Sequence, residues 1–346
     1  MARPTIKLRV SSRGTVFEVE ESLYLRLDAE GRWTTYGERG AVFRRALDGG
    51  VLVPGGGTPS TLDDPAAEAL HARVGRRAGE LLDLIDGGTG AVHVRGDLPL
   101  ALRRLAGAAC WTRARRRAMR QTYDAAYPEP APILPPHRYR DLVLLPATGC
   151  PNHRCTFCAF YRDRPFQILD DAAFEAHLGA VRRLFGRAIR ERDGVFLGSA
   201  SALSLPDGVL TRRLSRIVDV LGRPRRGIAA FYDADRGRVR TADDWGMLAE
   251  RGLVEATLGL ETGWRALRAR AGKSDDLDRF SAVVERLKRG GLDVALTVQM
   301  GLGGADAQLE HRAHTVDYLR ALPLDRAARV YLAPLDLGDG EDRWRG

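Results

Sequence analysis

Apolar and polar side chains trade places residue by residue through the first sixty positions. Val16-Phe17-Glu18-Val19-Glu20 and Tyr24-Leu25-Arg26-Leu27 carry the period of two that puts one face of a strand inside and the other in water. The stretch around Lys7 and Arg9 reads the same way. Asp28-Ala29-Glu30-Gly31-Arg32 has turn composition, so a hairpin into Trp33-Thr34-Thr35-Tyr36 is expected. Gly55-Gly56-Gly57 breaks the pattern. The period then lengthens to that of a helix, from Ala66 to Leu84 and again from Leu98 to Met119. Pro128, Pro130, Pro132, Pro135 and Pro136 end it, because a proline-dense stretch cannot continue a helix and behaves as a stiff linker. We place an N-terminal α/β domain of unassigned role at 1–127, a linker at 128–138 and a second domain at 139–346.

In that second domain short apolar runs alternate with helical periodicity. Strands are expected at 142–147, 195–198, 228–231, 254–260, 293–300 and 329–333. Helices are expected around 171–190, 209–221, 242–251, 276–290 and 308–320. Strand–helix alternation of this kind argues a parallel sheet and an α/β fold. In a barrel or partial barrel of such units, function sits at the C-terminal ends of the strands. No Gly-x-Gly-x-x-Gly opens the first unit, so dinucleotide binding has little support.

Composition narrows the picture. The chain has 346 residues, 44% of them apolar, enough for a sizeable core. No apolar run reaches the ~18 residues a membrane span needs, and Met1-Ala2-Arg3-Pro4-Thr5 has no apolar signal core. The expectation is a cytoplasmic protein with no membrane partner. Fifty-four Lys and Arg oppose 45 Asp and Glu, a net charge of +9 supplied almost wholly by arginine. The acids are interspersed, so RNA is an alternative partner rather than the leading one. The run Arg113-Ala114-Arg115-Arg116-Arg117-Ala118-Met119-Arg120 is read as a solvated helix face, with RNA docking as its alternative.

Three of the four cysteines fall within nine residues, at Cys150, Cys155 and Cys158. In a reducing compartment such a bunch reads as metal-binding rather than as a disulfide framework. Iron–sulfur clusters are normally held by four cysteine thiolates; three on a four-iron cluster leave one iron open to an exogenous group. The competing reading is a structural zinc site with His153 as fourth ligand. Cys110 reads as a buried small hydrophobe. His311 and His314, one helical turn apart, read as surface histidines, and Asp233-Ala234-Asp235 as a loop cap.

The cysteine loop after the first strand of an alternating β/α chain, with aromatic Phe157 before the last cysteine, resembles that of the radical S-adenosylmethionine (SAM) enzymes. Three further segments match in order: Val195-Phe196-Leu197-Gly198-Ser199-Ala200-Ser201, Gly259-Leu260-Glu261-Thr262-Gly263 and Val298-Gln299-Met300-Gly301-Leu302-Gly303-Gly304. The resemblance is nearest to the branch of the elongator-complex catalytic subunit. The first cysteine gap has four residues where three are common, a C-x4-C-x2-C variant. The resemblance implies a partial (β/α)6 TIM-like barrel preceded by a smaller mixed α/β domain. It implies a [4Fe–4S] cluster on Cys150, Cys155 and Cys158, and SAM contacts from Phe157, Gly198, Ser199, Ser201, Glu261, Gln299, Gly301 and Leu332. It implies an enzyme that cleaves SAM to a 5′-deoxyadenosyl radical, which takes hydrogen from an unidentified substrate. An electron donor such as flavodoxin or ferredoxin goes with that chemistry. Substrate access is expected near Tyr161, Arg162 and Tyr232. Without a cobalamin-type Asp-x-His-x-x-Gly motif or a second cysteine cluster, cobalamin-dependent methylation and methylthiotransfer are not expected. An RNA-binding or tRNA-modifying protein, and a zinc-stabilised non-catalytic module, are the alternatives.

Overall fold

The computed structural model describes residues 4–20, 22–55, 59–129, 132–161 and 163–335. It divides into two compact units, Met1–Pro130 with Ala176–Arg192, and Ala131–Glu175 with Asp193–Gly346.

In the first unit seven strands run as an antiparallel meander: β1 (Thr5–Ser11), β2 (Gly14–Val19), β3 (Leu23–Asp28), β4 (Trp33–Glu38), β5 (Ala41–Arg45), β6 (Val51–Val53) and β7 (Ser60–Thr61). Their alternation buries Ile6, Leu8, Phe17, Leu25, Leu27, Trp33 and Tyr36 on one face. Helix α1 (Asp64–Asp86) covers that face. It starts where Asp63 accepts the Ala66 amide at 2.8 Å, and Pro65 sits in its first turn, where a missing N–H costs nothing. Its buried Ala67, Leu70, Val74, Ala78 and Leu81 have the spacing of one helical stripe. Strand β8 (Ala91–Arg95), which periodicity misses, pairs in parallel with β1. The single helix expected from Leu98 to Met119 is two, α2 (Leu98–Ala109) and α3 (Arg113–Ala126), because Thr112 begins a new helix by accepting the Arg115 amide. Cys110 stands at the C-terminus of α2 and is exposed, not buried, since the chain is leaving the helix there.

The second unit carries the six expected strands as β9 (Leu142–Leu144), β12 (Val195–Leu197), β13 (Ile228–Tyr232), β14 (Leu253–Glu261), β15 (Asp293–Met300) and β16 (Arg329–Pro334). A small ribbon of β10 (Ala147–Thr148) and β11 (Gln167–Ile168) flanks the cysteine loop. Helix α4 (Asp171–Phe185) starts in this unit, and from Ala176 on it is counted with the first; the helices wholly in the second are α5 (Asp207–Leu221), α6 (Ala242–Glu250), α7 (Arg265–Arg270), α8 (Leu277–Arg289) and α9 (Gln308–Ala321). All neighbours in the sheet are parallel, and its order β16-β15-β14-β13-β12-β9 follows the chain. Each crossover therefore advances one strand in the same direction, the winding of a partial (β/α)6 barrel rather than of a doubly wound sheet.

The two edges of this sheet meet through side chains. Tyr331 on β16 stacks on His137, just ahead of β9, with ring centroids 5.5 Å apart, and donates its hydroxyl proton to Nδ1. His137 Nε2 donates to both oxygens of Glu255 at 2.9 Å, and Arg138 Nε donates to the same carboxylate at 3.2 Å. Glu255 lies on the central strand β14 and is 1% exposed. A buried carboxylate needs such partners, since an isolated one would be too costly to keep ionised. Glu255→Ala, which strips the shared partner from His137, Arg138 and Arg329, should lower stability by about 3–5 kcal/mol in urea unfolding; a loss under 1 kcal/mol would show that the knot is not what closes the sheet.

Candidate functional site

Cys150, Cys155 and Cys158 lie on the loop between β10 and β11, at the C-terminal end of the first sheet strand, and none is in a disulfide. Two glycines fix the loop's path. Gly149 (φ 65°) leaves no room for a Cβ against the Arg164 and Pro165 carbonyls, and Gly272 (φ 74°) leaves none against the Arg154 carbonyl. The loop is thereby pressed onto the turn that ends α7. Thr156 seals the contact: its amide donates to Ala271 O at 3.1 Å and its hydroxyl to Arg270 O at 3.3 Å. Asn152 donates to sulfur twice, through its amide to Cys150 Sγ at 3.4 Å and through Nδ2 to Cys155 Sγ at 3.8 Å. Its Oδ1 is buried without a hydrogen-bond partner. Within the first gap His153 has left-handed backbone (φ 50°).

Beside the thiols is a charged centre that motif reading missed. Lys273 Nζ lies 3.9 Å from both Glu261 Oε1 and Asp235 Oδ2. Asp235 is also paired with Arg268, itself wholly buried, at 2.5 Å. Burial opposes the charge of Lys273, but Glu261, Cys155, Asp233 and Asp235 outweigh it and hold its pKa above the ordinary lysine value. Burial pushes the Cys155 thiol up to about 11, with Lys273 pulling the other way. Burial likewise pushes the Glu261 carboxyl up, against Lys273 and Arg268. One signal was in the sequence: the chain has three lysines among its 54 basic residues, so a lysine is the exception.

Four non-glycine residues have left-handed backbone among those described, Arg39, His153, Ser199 and Glu261. Three of the four are at the C-terminal ends of the parallel strands, where strain of this kind marks a constrained site. Glu261 (φ 63°) sits at a register break between β14 and β15, and Thr297 donates to its Oε2 at 3.4 Å.

The other proposed contact residues are placed as follows. Gly198 ends β12 against Leu145 and Pro132. Ser199 is buried. The Ser201 hydroxyl is engaged with Ser204 at 2.6 Å and accepts the Asp233 amide at 2.8 Å. Phe157 packs against the buried cluster of Leu267, Ala271 and Leu302, as do Trp264 and Leu335. Gln299 donates its side-chain amide to Pro334 O at 3.1 Å, and Gly301 follows β15 with φ 89°. Leu332 is 64% exposed. Asp233 caps its loop as expected, accepting the Asp235 amide at 3.0 Å. Two expectations are corrected. Tyr232 is buried, donating to Arg238 O at 2.7 Å and packed on Trp245 of α6, so it lines no access route. His311 is 2% exposed rather than superficial, because its helix lies over the end of β14. Arg162 lies outside the described residues.

The family model of the radical SAM superfamily matches residues 144–319, just over half the chain, including the cysteine loop, Asp235, Glu261, Arg268 and Lys273. The chain belongs to the radical SAM superfamily. It is accordingly an enzyme whose cofactors are a [4Fe–4S] cluster and SAM. No curated protein matches it significantly. Among solved structures it is similar to a radical SAM methyltransferase, TsrM, from Kitasatospora setae, at 15% identity and a TM-score of 0.42, over 56% of this chain and 35% of that one. It is similar also to coproporphyrinogen III oxidase (HemN) from Escherichia coli, at 16% identity and 0.42, over 65% and 49%. The chain thus spans about a third and about half of those two proteins. At such scores the overlaps bear on neither substrate nor reaction.

The residues fit a cluster. Three unbridged thiols share one loop, and two N–H groups are aimed at their sulfurs, one of the means by which a protein sets a cluster's potential. Among the described residues no helix is long and apolar enough to cross a membrane. Changing Cys150, Cys155 or Cys158 singly to Ala should abolish the visible absorbance and most of the iron after anaerobic reconstitution, while Cys110→Ala leaves both intact. Full iron in any of the three would remove that residue from the ligand set.

Proposed function

We propose that Cys150, Cys155 and Cys158 hold the [4Fe–4S] cluster and that the adjoining charged centre binds SAM for reductive cleavage. The observation that carries this reading is the buried Lys273, set between Cys155 and the carboxylates of Glu261 and Asp235. SAM brings a carboxylate, an ammonium and a sulfonium. A site with a cation beside the sulfurs and carboxylates behind it matches that charge pattern group for group. Lys273 takes the SAM carboxylate. Glu261 takes the ribose hydroxyls or the ammonium. Asn152 Oδ1, buried and without a donor, is a second acceptor for the ammonium, since the Ser201 hydroxyl is already committed.

The remaining residues divide into floor and wall. Gly198 and Ser199 at β12, and Gln299 and Gly301 at β15, present backbone to the methionine and ribose portions. Phe157 and Leu302 offer apolar surface to adenine, with Leu332 contributing backbone from β16. Bound at this loop by Cys150, Cys155 and Cys158, the cluster would supply the electron for reductive cleavage of SAM and so the means to take hydrogen from an unidentified substrate. The protein's part is to orient SAM and to exclude water. A small redox protein such as flavodoxin or ferredoxin delivers the electron, and a reducing cytoplasm keeps the thiols free. The elongator-like branch is our assignment from the order and wording of the strand-end motifs.

The RNA-binding alternative draws less from the basic helix than its sequence suggests. Arg116 is paired with Asp64 at 2.8 Å and Glu68 at 3.0 Å, and Arg120 with Asp48 at 3.1 Å, so much of the basic run is neutralised within its own unit.

Reconstituted protein given dithionite and SAM should release 5′-deoxyadenosine and methionine, followed by mass spectrometry. Glu261→Gln and Lys273→Met should each weaken SAM binding about 10- to 100-fold, the worth of one charge-assisted hydrogen bond. No 5′-deoxyadenosine from the wild type, with the cluster in place, would overturn the proposal.

A further inference from the structure

Arg268, on α7, is a wholly buried charge whose guanidinium carbon lies 5.2 Å from the ring centroid of Phe280 on α8. A guanidinium so far from water has to be met by acceptors, and those it meets share one neighbourhood. Its Nε donates to Ser274 O at 2.6 Å, Nη1 donates to Leu260 O, and Nη2 donates to Asp235 Oδ1 at 2.5 Å. Each acceptor belongs to the charged centre or adjoins it in the chain. Leu260 precedes Glu261, Ser274 follows Lys273, and Asp235 is itself a member. The backbone adds a fourth tie, the Lys273 amide donating to Arg268 O at 3.0 Å.

The centre holds two cations and two carboxylates, and it pairs them unequally. Asp235 is taken on both oxygens: Oδ1 by Arg268, Oδ2 by the Ser274 amide at 3.4 Å. Lys273 Nζ stops 3.9 Å from Asp235 Oδ2 and 3.9 Å from Glu261 Oε1, near enough to be attracted and too far for a hydrogen bond. Arginine suits the first post, because its planar fork engages several acceptors at once and stays charged when buried. With Arg268 gone, Lys273 would be the cation left within ion-pair range of Asp235 among the described residues. Away from water the pull between two such groups is strong, and the ammonium would close on the carboxylate.

We propose that Arg268 is a positioning residue that holds Asp235 off Lys273 and so keeps the lysine ammonium open for the carboxylate of SAM. The inference rests on the reading that Lys273 takes that carboxylate. It gives Arg268 a part in SAM affinity without contact with SAM. It also separates two roles of a buried ion pair. A pair kept only for the fold needs both members alike, whereas a guard matters only while there is a carboxylate to restrain.

The experiment uses full-length, anaerobically reconstituted protein, with SAM as the probe in calorimetric titration. Iron content and thermal unfolding are read on the same samples. Arg268→Gln should keep its iron and lose SAM affinity about 10- to 100-fold, the worth of one charge-assisted hydrogen bond. Asp235→Asn removes the competing carboxylate instead and should bind SAM at least as tightly as the wild type. Both variants should unfold at lower temperature, since each leaves a buried charge without its partner. SAM affinity lowered alike in both would mark a purely structural pair and overturn the proposal. The double variant should bind SAM within about twofold of Asp235→Asn, because the arginine then has nothing to restrain. Where Arg268→Gln alone fails to fold, that last comparison decides, and tenfold weaker binding in the double variant would overturn the guard. Wild-type SAM affinity in Arg268→Gln would also overturn it and leave the SAM site standing. A wild-type protein that holds its cluster and binds no SAM would overturn both.

Discussion

The buried carboxylate of Glu255 is the point from which the second unit is organised. It sits on the central strand of a parallel sheet, a place where such strands are otherwise apolar. There it engages His137, Arg138 and Arg329, while His137 carries the link on to Tyr331. These residues come from just ahead of the first strand, from the fourth strand and from the last. A twisted sheet wound in one direction curls of its own accord, and these contacts tie residues just ahead of the first strand to the fourth and the last.

At the C-terminal ends of the strands the design changes from neutralisation to imbalance. Around Glu255 each charge is met by a partner inside hydrogen-bonding range. Around Lys273 the nearest carboxylates stop at 3.9 Å. Backbone strain follows the same division. His153, Ser199 and Glu261 are all at the upper rim, and the lower knot has none among the described residues. A site held in this way is made ready by its surroundings and completed by what binds.

Much of this was legible in the chain. The six sheet strands are where period and length put them, since a buried parallel strand is a short apolar run and a helical stretch separates each from the next. The cysteine loop was legible because thiolates so close together have few other uses. What escaped reading was whatever depends on contact rather than period. Strand β8 gave no signal because Ala91-Val92-His93-Val94-Arg95 is a mostly exposed edge, stabilised by pairing with β1 rather than by burial. Helix α7 is too short to show a period. Lys273 lies twelve residues beyond Glu261, and only the fold of α7 returns it to the thiols. His311 was misjudged because its helix is amphipathic in the wrong sense, with polar groups inside bonding the residues that follow β14 instead of a greasy stripe.

The contact between Gly272 and the Arg154 carbonyl carries a consequence for heredity. Position 272 bears no side chain, yet any larger residue there would press on the Arg154 carbonyl and lift the thiol loop off its bed, so an inherited change at a position remote from the sulfurs in sequence would act on their loop.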